Sequence, residues 1–210
     1  MTTAHYHPDL AGIYDRIAPN YDRLHRRWLR HAGGEAQAAL EATVRAVATP
    51  GMDVLDAGCG TGAFARRLIR EGQVQAQFTL LDPSEPMLAQ CSDLPAVSIR
   101  GRLEAMPLPA DHFHIVTCAW ALETTVSMDD ALSELARVVR EGGMICLAFC
   151  AQTPARGTRE RIMKAALTLR GTGRFLPVDR VTEMLEQRHG MDVRRLPCRG
   201  PAAALIARRS

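Results

Sequence analysis

A single α/β domain, with a mostly parallel sheet covered by helices on both faces, is the fold class this sequence predicts. Three observations carry it. Short apolar runs alternate with helical patterns along most of the chain, an order that builds right-handed crossovers and a parallel sheet. Two of those runs, Val54-Leu55-Asp56 and Leu80-Leu81-Asp82, end in an acid. The first passes directly into a turn with glycine at every second position, Gly58-Cys59-Gly60-Thr61-Gly62. The chain has 210 residues, 47% hydrophobic and 23% charged, which suits one globular domain with a sizeable core.

The elements follow in order. Pro8 to Ala32, rich in Tyr, Trp, His and Arg, reads as one or two helices, and residues 1–35 form a cap that belongs to the same domain as residues 36–210. Ala36 to Val47 is a helix stopped before Thr49-Pro50-Gly51. Asp53–Ala57 is the first strand. Ala63 to Arg70 places Phe64, Leu68 and Ile69 on one helical face, and Gly72 ends it. Ala76–Leu81 is the second strand, with Asp82 at its tip. Ser84 is an N-cap, with Glu85 in the first turn of the next helix. Ala96–Arg100 and His114–Ala119 are the third and fourth strands, Met128–Arg140 a helix and Met144–Phe149 the fifth strand. Residues 151–176 are a basic insert containing a helix from Glu160 to Leu169. Asp179–Arg188 is the last helix, followed by strands Met191–Leu196 and Ala202–Ala207 around the turn Arg199-Gly200-Pro201.

The glycine turn is a place for a ligand to lie against bare backbone, since glycine accepts positive φ and has no Cβ. Neither phosphate-binding spacing is present: the turn is G-x-G-x-G, and no Lys-Ser or Lys-Thr follows. Asp56 would repel a phosphate but suits a hydroxyl, an ammonium or a sulfonium. Asp82, at the end of the second strand, is placed to accept hydrogen bonds from both ribose hydroxyls of a nucleoside.

With Asp56 ahead of it, the turn resembles motif I of the class I S-adenosylmethionine-dependent methyltransferases. Leu81-Asp82-Pro83-Ser84-Glu85-Pro86-Met87-Leu88 resembles their second motif. Gly101-Arg102-Leu103-Glu104-Ala105-Met106-Pro107-Leu108-Pro109 resembles the segment before their fourth strand. Leu132 to Gly143 is similar to their helix and Gly-Gly turn, and Ile13 to Asp22 is similar to the opening of the branch that methylates quinones and related small molecules. The resemblance implies a Rossmann-like methyltransferase domain with a seven-stranded sheet, S-adenosylmethionine as cofactor and S-adenosylhomocysteine as product. It implies that Asp56, Gly58, Cys59 and Gly60 hold the methionine portion and Asp82 the ribose. Pro83 and Met87 then enclose the adenine, Ala119 and Trp120 pass near the sulfonium, and Tyr21 closes over the cofactor from the cap. Arg102 stands where the family often has an acid; arginine cannot accept a hydrogen bond, so adenine is read by the Leu103 backbone and by stacking. His114 and Ala110 also replace acids of the family pattern.

The acceptor implied by the resemblance is a small or amphipathic molecule, such as a quinone or another aromatic. Two alternatives remain open from the residues: N-methylation of a phospholipid at an anionic membrane, and a non-catalytic cofactor-binding subunit. Candidate bases are His25 and His31 on the cap and Glu123 after the fourth strand. The net charge of +3 does not require nucleic acid, and no N-P-P-Y motif is present. Arg156, Arg159, Arg161, Lys164, Arg170 and Arg174 gather in the insert, which is either a solvated helix face or a surface for peripheral membrane contact. No apolar run is long enough to span a membrane, the N-terminus lacks the layout of a signal peptide, and six cysteines without a C-x-x-C pair read as free, mostly buried thiols of a cytoplasmic protein. His5-x-His7 offers too few ligands for a metal, and none is expected.

Overall fold

The computed structural model describes residues 10–72, 74–153, 158, 161 and 174–210. Seven strands form one sheet in the order β3-β2-β1-β4-β5-β7-β6. They are β1 (Asp53–Ala57), β2 (Gln77–Asp82), β3 (Ala96–Arg100), β4 (Phe113–Ala119), β5 (Val139–Cys150), β6 (Met191–Leu196) and β7 (Ala202–Arg209). The pairs β1–β2, β1–β4, β2–β3 and β4–β5 are parallel, whereas β7 runs antiparallel to both β5 and β6. The strand order reverses at β1, with β2 and β3 added on one side and β4 and β5 on the other, so a crevice opens at the carboxyl ends of β1 and β4.

Helices cover both faces. On one, Leu40 and Val44 of α3 (Gly34–Val47) and Phe64 and Ala65 of α4 (Ala63–Arg66) pack on Val54, Phe78, Leu80 and Cys146. On the other, Leu132, Leu135 and Val138 of α6 (Met128–Val138) and Val181 of α7 (Val178–Glu183) pack on Leu55, Val116, Leu147 and Leu205. The short α5 (Glu85–Ala89) starts as its sequence demands: Ser84 accepts the Met87 N–H through its hydroxyl, and Glu85 stands in the first turn. The thiols of Cys59, Cys91, Cys118 and Cys146 are buried and those of Cys150 and Cys198 half-buried, all six unbridged.

The ends of several elements differ from the sequence expectation. The cap comprises α1 (Leu10–Ile17) and α2 (Tyr21–Trp28), joined by a tight 3-10 turn at Ala18–Asn20 where Pro19 lacks an N–H to donate. A wide turn at Leu29–Gly33 then carries the chain straight into α3, two residues before the expected start. The helix expected to reach Arg140 ends at Val138, because Val139 turns extended and pairs with Phe113. Strand β5 therefore begins five residues early and absorbs the Gly142-Gly143 irregularity, with Gly142 at φ +72°. The helix expected over Glu160–Leu169 lies outside the described residues. The ends of the insert are fixed side by side: Leu176 donates to the Cys150 carbonyl and Gln152 to the Leu176 carbonyl.

Candidate functional site

The glycine turn is built from its backbone. Gly58 and Cys59 both donate to the Leu81 carbonyl, at 2.7 and 3.0 Å, which folds the turn back over the tip of β2. Gly58 lies at φ +75°, and a Cβ there would meet the Ala121 Cβ at 2.3 Å. Only glycine satisfies both the conformation and the contact. Gly60 is at φ +54°, with the Tyr21 ring 3.7 Å from where a Cβ would stand.

The two acids at the strand tips have different surroundings. Asp82 accepts the Gly60 N–H and the Ser84 N–H, each at 2.9 Å, one on each carboxylate oxygen. It borders the cleft, and burial raises its pKa despite those two donors. Asp56 shares the face of Val54, where α3 and α4 pack, and is only 2% exposed. The Thr117 hydroxyl donates to its Oδ1 at 3.0 Å, while Oδ2 is buried without a hydrogen bond. Desolvation pushes this carboxyl up to about 7. Asp56 is thus a buttress behind the turn rather than part of the cleft wall.

The cleft is lined by Tyr14, Tyr21, Gly58, Gly60, Asp82, Pro83, Met87, Arg102, Leu103, Glu104, Trp120, Ala121, Thr124 and Thr125. Nine of the residues singled out from sequence meet there: Tyr21, Gly58, Gly60, Asp82, Pro83, Met87, Arg102, Leu103 and Trp120. Asp56, Cys59 and Ala119 stand behind or beside this wall. Trp120, a non-glycine at φ +63°, donates from Nε1 to Gln37 at 2.9 Å; such a conformation persists where surrounding packing enforces it. Arg102 Nε lies 3.5 Å from Glu104, which also accepts the Val126 N–H.

Aromatic rings continue the wall into the cap. Tyr14 meets Tyr21 edge-on at 6.1 Å, His25 stacks on Tyr21 at 5.5 Å, and both His25 and Trp28 meet Trp120 edge-on. Burial lowers the His25 pKa, favouring the neutral imidazole, and raises those of Tyr14 and Tyr21. His31 is exposed and does not line the cleft. Glu123 is buried at the tip of β4: Oε1 accepts the Cys150 N–H at 3.1 Å, and Oε2 has no hydrogen bond. Burial raises its pKa.

Two functional contacts escaped the sequence reading. Ser84 donates its hydroxyl to Asp15, and Thr61 donates its hydroxyl to Asp22, both at 2.5 Å. These latches tie the cap to the two loops that shape the cleft. The signal was present as a repeated Tyr-Asp dipeptide, Tyr14-Asp15 and Tyr21-Asp22, seven residues apart. His114, one of the departures from the family pattern, lies at the opposite end of the sheet, where Nδ1 accepts the Asp53 N–H.

A family model described as a methyltransferase domain matches residues 55–147. The malonyl-[acyl-carrier protein] O-methyltransferase of Pectobacterium atrosepticum is 35% identical over 183 residues, covering 84% of this chain and 67% of that protein. The ubiquinone/menaquinone biosynthesis C-methyltransferase of Shewanella pealeana is 30% identical over 152 residues, covering 65% of this chain; the chain spans 57% of that relative's length. Among solved structures, a SAM-dependent methyltransferase from Thermotoga maritima superposes with a TM-score of 0.72 at 18% identity, covering 96% of this chain and all of that one, a likeness of fold. Fold and site define a nucleoside-binding α/β transferase. The chain belongs to the class I S-adenosylmethionine-dependent methyltransferases. It is an enzyme of that family, and neither the non-catalytic subunit nor the phospholipid N-methyltransferase considered from sequence is favoured by these relatives.

The residues present suit this cofactor. One carboxylate at a ribose position, a thioether, proline and aromatic surfaces and a bare backbone turn fit a nucleoside bearing a sulfonium. Arg102 is the one cationic side chain lining the cleft among the described residues, and it is turned to Glu104, so nothing there is arranged for a polyphosphate.

Proposed function

We propose that this methyltransferase acts on a small or amphipathic acceptor with a flat ring, of the quinone or phenol kind, entering between the cap and the tips of β4 and β5. The carrying observation is the run of aromatic rings from Tyr14 through Tyr21 and His25 to Trp120, which offers ring faces and edges rather than charges. When bound, S-adenosylmethionine supplies a methyl group already activated by its sulfonium.

The chain's own part is positioning and the exclusion of water. Asp82 would accept from the ribose hydroxyls, keeping one lone pair on each oxygen for Gly60 and Ser84. Pro83 and Met87 would flank the adenine, with Arg102 stacking and the Leu103 backbone reading its edge. The backbone of Gly58, Cys59 and Gly60, propped by Asp56, would hold the methionine end. Ala119 and Trp120 would border the reacting centre under Tyr21. A protic acceptor must also lose a proton, and of the three candidate bases Glu123 is the one proposed; it is buried next to Thr124, which lines the cleft, and is not itself part of the lining. Its Oε2 has no hydrogen bond, and burial raises its pKa, the direction that makes a carboxylate a stronger proton acceptor. His25 is committed to ring stacking, and His31 points to solvent.

The test is transfer of labelled methyl to three acceptors: a demethylated quinol, a malonyl thioester and a small amine. Labelling of the quinol is expected. Labelling of the thioester alone would contradict this reading in favour of a second one, supported by the relative named for malonyl-[acyl-carrier protein]. With the quinol, Glu123→Gln should lower kcat about a hundredfold while KM and cofactor affinity stay near wild type.

A further inference from the structure

The cap helix α2 has two faces of opposite character. Tyr21, His25 and Trp28, spaced i, i+4, i+7, are turned to the cleft and its neighbours. Arg23, Arg26 and Arg27, with Arg30 in the wide turn that continues the helix, are spaced i, i+3, i+4, i+7 and line the other side, and all four are exposed. No ion pair engages any of the four among the described residues. The acid within α2, Asp22, is committed to Thr61. The turn between β6 and β7 enlarges the basic face: Arg199 is exposed, its N–H donates to Glu35 at 2.8 Å, and a Cβ on Gly200 would lie 3.2 Å from the Ala32 carbonyl.

Like charges at this spacing oppose one another along a helix, so an unneutralised arginine stripe works against the stability of α2. A second observation indicates what it meets. Three large apolar side chains are exposed among the described residues, and two flank the cleft mouth. Leu24, 47% exposed, lies three residues beyond Tyr21, and Val126, 49% exposed, follows Thr125. Cations on the same helix as an exposed leucine, with a second exposed apolar tip next to the cleft-lining Thr125, match a surface that offers phosphates and hydrocarbon together.

We propose that the outer face of α2, with Leu24 and Val126, docks the cleft mouth onto an anionic phospholipid bilayer. The guanidinium forks take lipid phosphates, for which planar bidentate donors are suited, and the two apolar tips enter the headgroup boundary. An acidic protein would satisfy the arginines but gives Leu24 and Val126 no particular role. This surface goes beyond the acceptor reading and does not depend on it.

The experiment is co-sedimentation of the full chain with vesicles of phosphatidylcholine, alone or mixed with phosphatidylglycerol, at low and high salt. Wild type should sediment with the mixed vesicles, less at high salt, and stay in solution with phosphatidylcholine alone. Each arginine neutralised should lower partition about fivefold, so Arg23→Gln, Arg26→Gln, Arg27→Gln and Arg30→Gln combined should abolish sedimentation. Unchanged calorimetric affinity for S-adenosylmethionine shows that this variant is folded. Leu24→Ser alone should weaken partition severalfold, and replacing Arg156, Arg159, Arg161, Lys164 and Arg170 by Gln should leave most binding in place. The proposal is overturned if wild type does not sediment, if the fourfold variant sediments like wild type, or if binding is lost only with the insert variant. Stripe-dependent binding to an acidic carrier protein in the absence of vesicle binding would equally overturn it. No acceptor is used, so failure here leaves the quinone reading standing.

Discussion

The tips of β1 and β2 carry the same residue type and do different work. Asp56 is the penultimate residue of its strand, and side-chain alternation sends it to the face packed by α3 and α4, where it is buried and meets the Thr117 hydroxyl. Asp82 is the last residue of its strand, and its carboxylate reaches the turn, taking the Gly60 and Ser84 N–H groups at the edge of the cleft. One acid is shut into the helix-packed face and the other borders the cleft. Identical chemistry at a strand end therefore does not imply an identical role: both acids belong to the same sheet face, but Asp82 lies two residues beyond Leu80, the register partner of Asp56, and so reaches past the packed face to the turn and the cleft.

Three changes sharpen that contrast, in descending order of effect. Gly58→Ala strikes the turn that both acids serve. A Cβ at φ +75°, 2.3 Å from the Ala121 Cβ, should cost about 4 kcal/mol and remove cofactor binding. Chemical denaturation and calorimetry check it; near-native stability and affinity would mean the turn tolerates a side chain.

Asp56→Asn isolates the buried acid. Its folded-state pKa, up to about 7 through desolvation, lies above the unfolded value. The folded state therefore binds the extra proton, and the associated stability is complete below about pH 4 and lost as pH rises to about 7. The variant has no proton to lose there. It should match wild type near pH 4 and exceed it by roughly 4 kcal/mol at pH 8, with a flatter stability profile between. Parallel profiles would show that Asp56 does not titrate in that range.

Thr61→Ala removes one latch between cap and turn, the hydroxyl given to Asp22. The loss should be about 1 kcal/mol of stability. Cofactor dissociation should quicken severalfold in stopped-flow fluorescence, whereas an unchanged rate would separate the latch from the cleft.

How much of this was legible in the sequence follows from how local each feature is. The strand, glycine turn, helix and second acid lie within residues 53–82, and each is encoded by neighbours in the chain, so the donor half of the site could be read directly. The split between Asp56 and Asp82 could not, because it depends on the register of β1 against β2, which sets Asp82 two residues further toward the cleft than the partner of Asp56. The Asp15–Ser84 latch joins residues 69 apart, and Glu123 gains its meaning only when β5 brings the Cys150 N–H beside it. The early start of β5 was hidden for the same reason: Val139 follows a helical pattern and becomes strand by pairing with Phe113. The proposed acceptor side draws on the cap and the strand tips, which no local motif joins.

Asp82, not Asp56, is the acid proposed to hold the cofactor. Calorimetric titration of S-adenosylhomocysteine into wild type, Asp82→Ala and Asp56→Asn tests it directly. Asp82→Ala should weaken binding tenfold or more, on the order of two lost hydrogen bonds to ribose, while Asp56→Asn stays within about threefold of wild type. An unchanged affinity in Asp82→Ala, or a larger loss in Asp56→Asn, would contradict the account.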